Sequence, residues 1–440
     1  MMKNILMIIF FKFTIGILNT ASATQIEQFS LKVAYDAALR IDPIIKSSKY
    51  NEAATKENIT IAQSRFLPQI SIQGTTNQIN QTTTQELTSG GELTKTFAGP
   101  TINHQLFIRQ SLIKPKDLIA ISFAENQLKV AELKYQLDLK DLWHRVVNAS
   151  IELVGANQIS KVLHKSLYSM KVIVDQELIR FEKGEGTRDA VIEAEAQYQS
   201  AYATYNQAIQ NLNSKQFIFK SLTQIDLFGL NKFKLPLYPS SQLIEIERQQ
   251  VWDNILKESK EVKIAKLQVN MQTEKLKMTA AEHMPTLDFL AGINYAKNDV
   301  TSTQGYKYKN KQFGVQYSIP IYFGGAITAT ERQATLGLEA SISDSEALVK
   351  KIESDFIFNW TNIIGLQARL IAGKFMIESA QEQVHATKLA NMQGVKTLIE
   401  IANAESNLSK RIVDQINYSV DLHKFHLKLN KNEILFSLFN

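Results

Sequence analysis

The chain has 440 residues, 44% hydrophobic and 21% charged, with a formal net charge of +6 and no cysteine. The lack of cysteine excludes a disulfide scaffold, a thiolate zinc or iron–sulfur centre and a cysteine nucleophile. The 49 basic and 43 acidic residues are spread along the sequence, and so small an excess gives no footprint for nucleic acid.

Residues 1–23 have the pattern of a secretory signal peptide. Lys3 opens it, Ile5 to Leu18 is apolar apart from Lys12 and Thr14, and Ala21-Ser22-Ala23 offers a cleavage site before Thr24. An N-terminal membrane anchor is the alternative, but the apolar run is short and broken by Lys12. No later apolar run reaches the roughly 18 residues of a spanning helix. Any membrane insertion of the mature chain must therefore use β-strands.

Prolines stand at 43, 68, 100, 115, 236, 239, 285 and 320. The two stretches after Pro115 and Pro320 lack this helix breaker for about 120 residues each. Both are rich in Ala, Leu, Glu, Gln and Lys, which favour helix. Each reads as two long helices joined at a glycine turn, Gly184-Glu185-Gly186-Thr187 and Gly394-Val395-Lys396-Thr397. A helix from about Asp117 to Phe181 would run roughly 100 Å, which suits a bundle or rod rather than a globular domain.

The chain repeats internally. Arg65-Phe-Leu-Pro-Gln-Ile-Ser-Ile72 resembles Glu282-His-Met-Pro-Thr-Leu-Asp-Phe289 at an offset of 217, which also pairs Leu39 with Leu256 and Ile45 with Val262. The glycine turns correspond at an offset of 210. The expected organisation is repeat 1 over 24–235, with a strand pair about 66–111, and repeat 2 over 236–440, with a strand pair about 286–321.

The second strand pair carries the clearer signal. Leu287, Phe289, Ala291, Ile293 and Tyr295 alternate with Thr286, Asp288, Leu290, Gly292 and Asn294. Phe313, Val315, Tyr317, Ile319 and Ile321 alternate in the same way, and polar Lys297 to Lys311 reads as a surface loop between them. In the first pair Ile70 and Ile72 alternate, then Thr, Asn and Gln dilute the pattern up to Gly90-Gly91; Leu106 and Ile108 mark the return strand. The alternating runs match the about 9–11 residues of a membrane-crossing strand. A soluble hairpin shows the same alternation. Two hairpins alone would leave sheet edges that lipid cannot satisfy, so in a membrane several chains must close a barrel together.

Candidate chemistry is thin. His423 and His426 can share a helix face, but no third metal ligand is evident. No Ser-His-Asp arrangement, P-loop or dinucleotide fingerprint appears, which argues against an enzyme. Thr397-Leu-Ile-Glu400 has the form of a capping box.

Phe66-Leu-Pro-Gln-Ile70, Arg180-Phe-Glu-Lys-Gly-Glu-Gly-Thr187, Met284-Pro-Thr-Leu-Asp288 and Ser318-Ile-Pro-Ile-Tyr-Phe-Gly-Gly325, in this order, resemble the TolC-type outer-membrane efflux and secretion channels. The resemblance covers essentially the whole mature chain. It implies a mainly α fold with transmembrane β: a homotrimer in which each chain gives four strands to a twelve-stranded barrel in outer-membrane lipid, continued by a helical tunnel in the periplasm. It implies no cofactor. As partners it implies a periplasmic adaptor at the two glycine turns and an inner-membrane ABC exporter or proton-driven pump. The family exports both small molecules and proteins. Residues around Asp226 to Glu245 fall at the family's mid-tunnel belt. Glu400 falls on the first of two acids that ring the tunnel entrance; the second is Asn403 here. Lys396 takes the place of an arginine that locks the closed entrance. The partners of that lock correspond to Asp189 and Ala190, and a lock tyrosine is replaced by Asn391. The plainer alternatives are a Glu400 that only caps its helix, and a Lys396 and Asp189 that are solvated turn residues. At the level of the whole chain, the alternatives are a periplasmic adaptor, which would need a compact β-domain and a single helical hairpin, and a coiled-coil rod, which would show sustained heptads.

Overall fold

The computed structural model describes residues 31–226, 248–298 and 306–429. The expected leader and most of the segment from Asp226 to Glu245 lie outside them. In chain order the elements are α1 (Leu31–Ile41), α2 (Pro43–Ser64), β1 (Gln69–Glu86), β2 (Glu92–Ile113), α3 (Pro115–Glu182), α4 (Arg188–Thr223), α5 (Arg248–Glu258), α6 (Lys260–Ala280), β3 (Thr286–Asn298), β4 (Tyr306–Ser318), α7 (Ala326–Met392) and α8 (Leu398–Lys428). Twice the chain runs through two short helices, a strand pair, a very long helix and a shorter one.

The breaks that open each half are matched. Asp42 ends α1 and its carboxylate accepts from the Ile45 amide at 3.0 Å, while Ser259 ends α5 and its hydroxyl accepts from the Val262 amide at 3.2 Å. In both halves a polar N-cap satisfies the free amides of the second helix. Asp42 also ties α2 to α3, since it takes Arg145 Nη1 at 2.7 Å.

The helices α3 and α7 have 68 and 67 residues, so each is about 100 Å long. Pro115 sits at the first position of α3, where the missing N–H costs nothing. Burial along α3 follows its neighbours. Around its middle, Val146, Val147, Ile151, Leu153 and Val154 are almost wholly enclosed, packed with Leu31, Ala34 and Ala38 of α1, Phe219 of α4 and Leu427 of α8. Toward its C-terminus the buried apolar stripe narrows to Met170, Ile173 and Val174, against Ala194 of α4 and Leu398, Ile401 and Ala402 of α8. The middle is braced by charge as well: Glu152 of α3 pairs with Lys215 of α4 at 2.7 Å and with Lys424 of α8. No helix among the described residues is long and apolar enough to cross a membrane.

The four strands form one antiparallel sheet in the order β1-β2-β3-β4. Register puts Ile70, Ile108, Ala291 and Phe313 in one row and Ile72, Leu106 and Ile293 in the next, on the same face. This face is exposed and apolar: Ile72 is 79% accessible and Phe313 85%. The opposite face is polar, and there Asp288 takes Arg109 Nη2 at 2.5 Å and the Ser111 hydroxyl at 2.7 Å. Pro100 lies just past Thr101, the last β2 residue paired to β3, so its missing N–H breaks no ladder on that side.

Two boundaries differ from expectation. The expected loop from Lys297 to Lys311 is largely strand: Lys297 and Asn298 end β3, and Tyr306 to Lys311 begin β4. Backbone pairing continues past the apolar residues of β4, where its own sequence shows no hydrophobic alternation to mark it. At the other end β4 stops at Ser318 rather than Ile321. Pro320 has no N–H to donate, and Gly324 and Gly325, at φ +60° and +82°, turn the chain into α7.

Candidate functional site

The glycine turns lie at the end of the long helices remote from the sheet. They are built alike. Gly184 and Gly394 take φ +76° and +77° after α3 and α7, a left-handed conformation that glycine adopts at least cost. The helix carbonyls left free are then capped from the turn: Glu185 N donates to the Arg180 carbonyl and Val395 N to the Ala390 carbonyl, each at 2.9 Å. Thr187 and Thr397 start the return helices. Their hydroxyls accept from the Ala190 and Glu400 amides at 3.3 and 3.2 Å.

The second turn carries additional bonds. Glu400 closes a full capping box, with its Oε2 accepting from the Thr397 amide at 2.9 Å. Its other oxygen pairs with the Lys396 ammonium. The Lys396 ammonium and the Thr397 amide hold the Glu400 carboxyl below its ordinary range, so it is ionised at neutral pH. Asn391 Nδ2 donates to the Lys396 carbonyl at 2.6 Å. One α8 turn on, Asn403 Oδ1 accepts from Gln197 Nε2 of α4 at 3.3 Å. Lys388 of α7 reaches Glu405 of α8 at 2.5 Å. A groove of about 510 Å³ runs between the end of α3 and this turn, lined by Gln176, Ile179, Arg180, Asn391 and residues 394–398.

The structure thus brings Glu400, Lys396, Thr397 and Asn391 into one bonded unit. Asp189 and Ala190 sit in the first turn of α4. No ion pair joins Asp189 to Lys396 among the described residues of the chain. Gly184, Glu185, Thr187, Gly394, Val395 and Lys396 are exposed, and Gly186 is half-buried. The bonds Gln197–Asn403 and Lys388–Glu405 join residues whose partners no local pattern names. His423 is buried, and its Nδ1 lies 2.6 Å from the Ser419 carbonyl. No group of His, Asp and Glu suited to a metal occurs among the described residues.

The family model for outer membrane efflux protein matches residues 34–217 and 251–430. The outer membrane protein TolC of Vibrio cholerae is 22% identical over 386 residues, covering 86% of this chain and 84% of that protein. The alkaline protease secretion protein AprF of Pseudomonas aeruginosa is 23% identical, covering 85% and 78%. The solved CmeC outer membrane channel of Campylobacter jejuni superposes with a TM-score of 0.74 at 16% identity, over 93% of this chain and 85% of that one. The chain belongs to the outer membrane efflux protein family and is a channel rather than an enzyme, its four-stranded sheet one third of a trimeric barrel in the outer membrane and its long helices the wall of a tunnel in the periplasm.

Proposed function

We propose that the glycine-turn end is the periplasmic entrance of the channel. Three Glu400 side chains near the trimer axis form its narrowest ring, with Asn403 one turn inward. Lys396, Asp189, Ala190 and Asn391 shape the closed state. The exposed turns, Gly184 to Thr187 and Gly394 to Thr397, take a periplasmic adaptor that couples the tunnel to an inner-membrane ABC exporter or proton-driven pump. Between the two cargo classes, the name of AprF favours secreted protein over small molecules.

The observation that carries this reading is the ionised Glu400 carboxylate at the far tip of the helices, bonded at once to its helix start and to Lys396. It caps and it carries charge. In the closed ring Lys396 screens each carboxylate, so divalent cations compete with three ammonium groups for the same oxygens. Planar-bilayer recordings with a divalent titration from the periplasmic side test this. Glu400→Ala should weaken divalent block and cation preference, and Lys396→Ala should strengthen both. Identical block in wild type and both variants would mean that Glu400 is a helix cap only.

A further inference from the structure

Above Phe313, the outward face of β4 becomes strongly basic. Lys311 lies opposite Ile293, Lys309 opposite Tyr295, and Lys307 opposite Lys297. Residues two apart on a strand share a face, so all four lysines share the face of Phe313 and Val315. The Lys307 ammonium, 5.7 Å from the centre of the Tyr295 ring, confirms the side. All of β4 is exposed, and no carboxylate among the described residues pairs with Lys307, Lys309 or Lys311.

The height of the patch on the sheet shows what lies against it. The strands join the helices at Gln69, Ile113, Thr286 and Ser318, which fixes the periplasmic side. Outward-facing Tyr317, Val315 and Phe313 climb from there, and Lys311 is the next residue on that face. Along β4 the lysines begin where the apolar residues end, and Lys311 shares the upper apolar row with Ile72, Leu106 and Ile293. Beyond them β1 and β2 continue together from Thr101 to Glu92, so the rows lie below the top of the sheet. That is the headgroup layer of the outer leaflet. His104 and Tyr295, stacked with ring centres 6.4 Å apart, sit in the Lys309 row as an aromatic girdle residue pair would.

We propose that Lys307, Lys309 and Lys311 form a docking surface for phosphate-bearing lipid headgroups of the outer leaflet. Each lysine brings a compact ammonium suited to a phosphate oxygen. The lipid chains lie against Phe313 and Val315 below.

The test uses the full-length trimer in detergent. It is titrated with bis-phosphorylated lipid A and with the same lipid stripped of phosphate, and retained lipid is read by native mass spectrometry. Wild type should prefer the phosphorylated form by at least about tenfold, and the preference should shrink as ionic strength rises. Replacing Lys307, Lys309 and Lys311 by Gln should weaken binding by roughly fivefold per lysine, or about 100-fold together, and replacing all three by Arg should keep it. Equal binding of the two lipids by wild type would overturn the proposal even if the Gln variant failed to assemble. So would unchanged affinity in an assembled Gln variant, or full displacement by inorganic phosphate, which would mark a free-anion site.

Discussion

An arginine placed on the outward face of the sheet should prevent assembly, whereas one on the inward face should not. Val315 is the residue to change. It sits opposite Phe289, between Tyr317 and Phe313, and is four residues below Lys311. At about 3.4 Å per residue and a tilt near 40°, that is roughly 10 Å beneath the headgroup layer. Arginine facing lipid at such depth costs about 2–4 kcal/mol. Threefold symmetry repeats the cost, so Val315→Arg loses about 6–12 kcal/mol per trimer, comparable with the whole stability of a typical domain, about 5–15 kcal/mol. Gln316 is the control. Its side chain takes the polar face, opposite Asp288, where an added guanidinium meets water and a carboxylate. Outer-membrane fractions run on a gel without boiling should show the heat-resistant trimer for wild type and Gln316→Arg, and little or none for Val315→Arg or Phe289→Arg. Equal trimer in all three variants, or loss confined to Gln316→Arg, would refute the assignment of faces.

Cysteine placed at Glu185 or Val395 should crosslink to a periplasmic adaptor in cells, since both are exposed at the turns; crosslinks only from Tyr306, at the opposite end, would reverse the polarity. The helical tunnel should lose stability in acid partly through His423. Burial pushes its imidazole below the ordinary value despite the Ser419 carbonyl, so the unfolded chain takes up the proton first. Its contribution is intact above about pH 6.5 and is lost as pH falls below that. Trimer dissociation temperatures at several pH values should fall less steeply for His423→Gln than for wild type, and an equal slope would exclude the histidine as a cause.

What the sequence revealed depended on how local the signal was. The turns were legible because one glycine and one threonine do most of the work: Gly184 and Gly394 must take positive φ, and Thr187 and Thr397 must cap. The long helices were legible from missing prolines, and α3 runs only one or two residues beyond the expected ends at each terminus. The strands were legible only where one face meets lipid. β1 carries Ile70 and Ile72 and then mainly Thr, Asn and Gln up to Glu86, because beyond the lipid neither face needs to be apolar. The same physics hid Tyr306 to Lys311 in an expected loop. Pairings such as Gln197 with Asn403 join residues 206 apart, and nothing in either residue's neighbourhood selects the partner.

The two turns also show how a duplicated backbone acquires one specialised copy. At the offset of 210, Gly186 corresponds to Lys396 and Ala190 to Glu400. The first turn is closed tightly: a side-chain carbon on Gly186 would stand 3.1 Å from the Phe181 nitrogen. The matching bond to the helix carbonyl is 3.1 Å from Gly186 N but 3.4 Å from Lys396 N. Lys396 has a side chain where the first turn has glycine, and it reaches Glu400, four residues on. A carboxylate at the third position of a helix is favoured by the helix dipole as well as by the Thr397 amide. The charged pair therefore exists only at the second turn, at a site where the fold already stabilises an ionised glutamate. Moving the pair to the first turn by Gly186→Lys with Ala190→Glu would bring a side-chain carbon within 3.1 Å of the Phe181 nitrogen, so the backbone there must shift by a few tenths of an ångström before the pair can form.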